Sequence, residues 1–389
     1  MRYLLPFAAF LAAGTSIWPD LRPVPAGSKL CQTGLCRFDQ LFSRIDAEGV
    51  NLGNVGRLLE QDPMNPLVWC VYADLLAAAG KTGAAAETFD YAISLGPGMS
   101  PVLMRAANFD FAYGQTAHGM RMAREILLQT DAFDQILFAD LMHSGAPISQ
   151  LLGTTIPGTP RVARAWLEWV RGHGSTQELA ATWAWIQQNR LADRKSAVDV
   201  TRALWERKAL RTAQKIWAAW LGSERNYLNP QRLANTRFEN EPSGSPFDWK
   251  LDAPESVQLL RQDGLEIRFS GTENVHFSHV SQFATVDAGR YRLSVEVRAN
   301  GLTTDERPFF RVFDSVNPVR LDVATAPLPE KIPRSWLTLD FAVPRGTEAV
   351  QIQIERRPSH HFDNKISGTL HVYQVSLTPA STDPGSVPQ

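Results

Sequence analysis

Excess charge, cysteine and catalytic signatures are what this chain lacks. Its 39 basic residues are balanced by 40 acidic ones, a formal net charge of -1. That leaves no basic footprint for nucleic acid or for an anionic membrane surface. Three cysteines in 389 residues allow one disulfide at most. Cys31 and Cys36 lie in a Pro- and Gly-rich segment and could close a small loop in an oxidising compartment. Cys70 sits in an apolar run and reads as a small buried hydrophobe. No His stands beside any of the three, which argues against zinc. There is no Gly-x-Ser-x-Gly elbow, no His-Glu-x-x-His helix and no phosphate loop.

What is present begins with an apolar stretch. Residues 1–18 open on Met1-Arg2 and run apolar to Trp18, with Ala12-Ala13-Gly14 as a small-residue cleavage candidate. This predicts an export signal, or an N-terminal membrane anchor if it is not cleaved, and hence an exported, periplasmic or cell-envelope protein. Residues 19–50 read as a linker, and residues 380–389 as an unstructured tail.

Between residues 51 and 224 the pattern is helical. Trp69, Tyr72, Ala73, Leu76, Gly80, Ala85, Phe89, Ala92 and Pro97 fall at the spacing of a tetratricopeptide repeat, a helix–turn–helix unit of about 34 residues. One period on, Ala73, Gly80 and Ala85 become Ala107, Gly114 and Gly119. Prolines 147, 157 and 160 interrupt the pattern, and residues 161–189 and 192–221 supply two further, degenerate helix pairs. Their Trp166, Trp169, Trp185 and Trp205 form a stripe that is either core or a ligand groove. A stacked array predicts a concave surface on which a protein partner docks.

From 225 to 379 the apolar residues alternate instead. Leu265, Ile267 and Phe269 share a face, as do Tyr291, Leu293, Val295 and Val297, then Leu337, Leu339, Phe341 and Val343, and Val350, Ile352 and Ile354. Turn signals separate them at the spacing of an all-β sandwich. The expected fold class is multidomain: an N-terminal all-α tetratricopeptide-like solenoid followed by an all-β jelly-roll sandwich.

The stretch 235–251, NTRFENEPSGSPFDWKL, resembles the opening strand of carbohydrate-binding-module-like jelly rolls through Asn235, Phe238, Glu239 and Trp249. The segment 271–301, Trp336 and the closing DNKISGTLHVYQVSL extend that likeness. The whole chain is most similar to exported bacterial tetratricopeptide proteins with such a sandwich, a group met in exopolysaccharide contexts. The resemblance implies glycan binding, and it implies a structural calcium for which Glu239 is the candidate ligand. The last strand departs from that pattern, since His371-Val372-Tyr373-Gln374-Val375 carries no carboxylate.

Polar residues interleave the same strands. Arg292, Glu296 and Arg298 lie on one, and Gln351, Gln353 and Glu355 on another. We expect them to form one outward face that could hold sugar, completed by Phe277, Phe309, Arg311, Arg357 and His360; a solvated sheet face is the plain alternative. His276 and His279 do not share a strand face, so the histidines suggest no metal site. The leading functional expectation is a non-catalytic exported scaffold that binds a protein partner and a glycan. One alternative is a purely structural assembly factor of the cell envelope. Another is a glycan-cleaving enzyme using Glu296 and Glu355 as acid and base.

Overall fold

The computed structural model describes residues 51–222 and 227–380. The N-terminal apolar segment, the linker with Cys31 and Cys36, and the tail beyond Ala380 lie outside the described residues. Eleven helices precede ten strands among those described, and none of the helices is long and apolar enough to cross a membrane. The chain divides into two compact units at 157/158.

The first unit contains α1 (Leu52–Gln61), α2 (Pro66–Ala78), α3 (Thr82–Leu95), α4 (Ser100–Ala112), α5 (Thr116–Gln129), α6 (Asp134–His143) and the short α7 (Ile148–Gln150), which runs into a π-turn at Leu151–Thr155. Asn65 caps α2 by accepting from the Leu67 and Val68 amides, with Pro66 in the first turn. The repeat follows the sequence pattern. Ala73, Ala85 and Ala92 are fully buried at the helix crossings, and Phe89 fills the seam. Gly80 and Gly114 turn each pair with φ of 77° and 82°, a left-handed conformation natural to glycine. A methyl group at Gly119 would sit 3.0 Å from the Phe111 ring, which explains why glycine replaces Ala85 of the preceding repeat. Arg105 on α4 pairs with Asp74 on α2.

The second unit begins with α8 (Pro160–His173), α9 (Thr176–Gln188), α10 (Arg194–Glu206) and α11 (Leu210–Leu221). Ser175 and Glu178 form a capping box at the start of α9. Of the tryptophan stripe, Trp166 is buried while Trp169, Trp185 and Trp205 are half-buried, with Trp169 stacked on Trp166 at 5.8 Å; Trp183 and Trp217, outside the stripe, are core.

The strands are β1 (Lys250–Leu251), β2 (Val257–Arg261), β3 (Leu265–Ser270), β4 (Phe277–Thr285), β5 (Gly289–Asn300), β6 (Phe309–Asp314), β7 (Asp322–Ala324), β8 (Ile332–Val343), β9 (Ala349–Arg356) and β10 (Ser367–Pro379). They build two antiparallel sheets, β1-β4-β9-β6-β7 and β2-β3-β10-β5-β8. The last strand pairs with β3 and β5, and the eight strands β3 to β10 have the two-sheet order of a jelly roll. The inward residues of both sheets, such as Val295 and Val297 facing Ile352 and Ile354, merge into one core.

Helices α10 and α11 belong with this sandwich. Trp205 lies 5.4 Å from Phe247 and 4.6 Å from Phe283 of β4, ring centre to ring centre. Gln214 bonds both Thr285 and the Tyr227 hydroxyl, and Arg211 reaches Asp287 at 2.8 Å. The compact unit therefore starts well before residue 225, where the composition changes from helical to strand-like.

Candidate functional site

The opening loop of the sandwich, residues 235–241, is held from several directions. The Asn235 carbonyl accepts from the Phe238 amide at 3.0 Å and from Trp249 Nε1 at 3.1 Å. Its side chain clasps Asn240 twice, donating to the carbonyl at 2.9 Å and accepting from the amide at 3.1 Å. The Thr236 carbonyl takes the Val375 amide of β10 at 2.9 Å. Phe238 and Trp249 are each 1% exposed, with ring centres 4.8 Å apart. With those two side chains in the core, Arg237 and Glu239 are left exposed on either side of Phe238.

They border a polar recess on the outer face of the second sheet, about 380 Å³ in volume. Arg334 of β8 crosses it. Its Nε and Nη2 donate to the two oxygens of Glu296 on β5 at 2.7 and 3.1 Å, and its Nη1 lies 4.0 Å from Asp263. The same guanidinium sits 3.9 Å over the Tyr373 ring. Hydrogen bonds from Arg334 hold the Glu296 carboxyl below its usual range. Arg261 closes the far side through Glu241 and the Asn240 carbonyl.

Tyr373 points outward between buried Val372 and Val375, and a bulge in β10 between Val372 and Gln374 puts Gln374 on the same outer face. His371 stacks on Tyr373 at 4.1 Å. The neighbouring turn must carry Gly264, since a Cβ there would overlap the Val372 carbonyl oxygen, and its φ is 118°. A second recess of about 550 Å³ is lined by Pro230, Gln231, Thr236, Gln374 and Thr378. It shares Arg237 and Glu239 with the first.

The outer face of the first sheet has a different character. Arg311 donates to both oxygens of Asp322 at 2.7 Å and to Glu355 at 2.9 Å, while Arg357 holds the other Glu355 oxygen at 3.3 Å. The Arg311 guanidinium lies 4.6 Å from the Phe313 ring centre, and that of Arg357 5.1 Å from Phe309. Gln353 donates to the Ser278 carbonyl at 2.7 Å. These charges satisfy one another. Arg311 holds the Asp322 carboxyl low by hydrogen bonding.

The expected single face is thus two faces. Phe309, Arg311, Gln353, Glu355 and Arg357 come together on the first sheet; Arg292, Glu296 and Arg298 stand on the second, with Arg292 tied to Asp340 at 2.6 and 2.7 Å. Strand alternation shows which residues point outward but not which sheet a strand joins. Phe277 is corrected to core: it is fully buried within the sandwich and offers nothing to a ligand. Glu296 and Glu355 cannot flank one glycosidic bond, because they project from opposite outer faces of sheets packed about 10 Å apart. His360 is exposed in the loop between β9 and β10. Among the described residues no three His, Cys, Asp or Glu converge as a cation site, and Glu239 lies on the rim of the recess instead. Arg237, Arg261, Asp263, Arg334 and Tyr373 escaped the sequence reading. The asparagine-bounded NTRFEN loop was the available signal for Arg237.

Fold and site together define a chain of tetratricopeptide-like helical repeats with a jelly-roll sandwich that carries a polar surface recess. No protein-family model and no curated protein matches the chain. Solved structures similar to parts of it include YrrB, a TPR protein with an unusual peptide-binding site. That match has 12% identity and a TM-score of 0.25, covering 42% of this chain and 88% of the other. TmCBM61 in complex with beta-1,4-galactotriose matches at 15% identity and a TM-score of 0.27, covering 39% and 99%. CBM4 matches at 17% identity and a TM-score of 0.27, covering 38% and 99%.

Proposed function

We propose that this protein is a non-catalytic binding protein whose sandwich holds a glycan in the paired recesses of its second sheet, while its helical repeats dock a protein partner. The observation that carries the reading is the Arg334–Tyr373 platform between Glu296 and Asp263. A polyhydroxylated ligand calls for planar, fixed donors and acceptors, and this recess supplies them in the Arg334 guanidinium, held flat on Tyr373, and the carboxylates beside it. Catalysis is disfavoured by the separation of Glu296 from Glu355. The N-terminal apolar segment supports export, and the resemblance of residues 235–251 supports a place in polysaccharide assembly or secretion at the cell envelope.

The test is a glycan array followed by calorimetry on the full chain, with Tyr373→Ala as the variant. Binding without product release is expected, with affinity about tenfold weaker in the variant, as loss of the cation–π contact that positions Arg334, worth roughly 1–2 kcal/mol, implies. A blank array, or release of shortened glycan, would overturn the reading.

A further inference from the structure

The two recesses share one rim, and that rim is Arg237 and Glu239. Arg237 differs from the other guanidiniums of the first recess. Arg334 is engaged by Glu296 and Tyr373, and Arg261 by Glu241. Arg237 makes no hydrogen bond or ion pair among the described residues and influences Glu296 only through space. The loop holds it there at a conformational cost. Phe238, a bulky residue, takes φ of 57°, and Asn235 takes 48°, both left-handed. Such a conformation is strained for a residue with a bulky side chain. It persists because the Phe238 ring is locked against Trp249 in the core.

Charge and length then restrict the occupant. The first recess carries three guanidiniums and four carboxylates. A polyanion would face the excess of acids, and a polycation would have to displace arginines already paired. An uncharged polyol needs neither, because paired ions keep spare N–H groups and lone pairs for hydroxyls. The lining follows β10 from Tyr373 through Gln374 to Thr378. At a strand rise of about 3.4 Å per residue this is about 17 Å, longer than one sugar ring.

We infer that the two recesses form one continuous groove for an internal stretch of an uncharged polysaccharide, with Arg237, set on its strained loop between them, as the residue that reads the chain. The inference rests on the glycan reading above and goes on to fix the charge and length of the ligand.

The experiment is calorimetry on the full chain. The probes are neutral gluco-, manno- and galacto-oligosaccharides, each from monosaccharide to hexasaccharide, with polygalacturonate as the charged polymer. Affinity is expected to climb with length in one neutral series and to change less than about twofold when salt shortens the screening length from about 30 to 10 Å. Arg237→Ala should weaken that binding at least about tenfold, the value of a charge-assisted hydrogen bond, with Arg237→Lys falling between. Arg237 is exposed, and an unchanged melting temperature shows that the variants fold. Preference for polygalacturonate, equal binding of monosaccharide and hexasaccharide, or full affinity in Arg237→Ala would each overturn the inference while leaving glycan binding intact. Silence of every probe would overturn the glycan reading and this inference with it.

Discussion

Asp140, on α6, carries the carboxyl most readily tested in the helical unit. Burial pushes its pKa from 3.8 up to about 6, with His143 pulling weakly the other way. Because the folded value is above the unfolded one, the charged carboxylate destabilises the fold above about pH 6, and stability returns as pH falls toward 4. Asp140→Asn should stabilise the protein at pH 7.5 by on the order of 1 kcal/mol after allowance for solvent screening. Thermal melts of variant and parent should converge by about pH 4, below which Asp140 is protonated in both states. A difference that persists there would show that packing, not charge, is responsible. Cys70 is a companion case: it is buried, and desolvation raises its thiol pKa to about 12. Thiol reagents at pH 8 should label it only after denaturation, at the rate at which the helical unit opens.

The helix pairs and the strands differ in what their sequences reveal. A period of about 34 and the burial of Ala73, Ala85 and Ala107 made α2 to α5 legible, because each small residue marks a helix crossing. Alternation likewise marked β3, β5, β8 and β9, since one face of each must be apolar. The assignment of β5 and β9 to different sheets was not legible: it depends on Greek-key crossovers, which leave no local pattern. Tyr373 was hidden because alternation places it outward, beside His371, without showing which turn and which strands meet around it. The place of α10 and α11 was hidden too, as Trp205 and Gln214 look like ordinary helix residues until Phe283 and Thr285 arrive from 70 or more positions away. That arrangement makes a specific prediction. A fragment of residues 158–380 should fold, whereas 233–380, which bares Phe247 and Phe283, should lose roughly 3 kcal/mol or aggregate; denaturant melts of the two decide it.

At the scale of the whole molecule, the near-zero net charge and the internally paired ions of both sandwich faces leave little long-range field. The intact chain should pass through a heparin column even at low ionic strength, and retention there would reveal a basic surface outside the described residues. Fold class was readable from composition and period alone, while the recess was not, because it is assembled from a loop, a turn and four strands whose residues lie up to 136 positions apart, from Arg237 to Tyr373. One feature of that assembly bears on kinetics. The 235–241 loop is clasped across itself by Asn235 and Asn240 and fastened to Trp249 and to β10 before any ligand arrives. A rim already in its final shape has no closing step, so capture should proceed at the pace of encounter, and differences in residence between ligands should arise in how fast they leave.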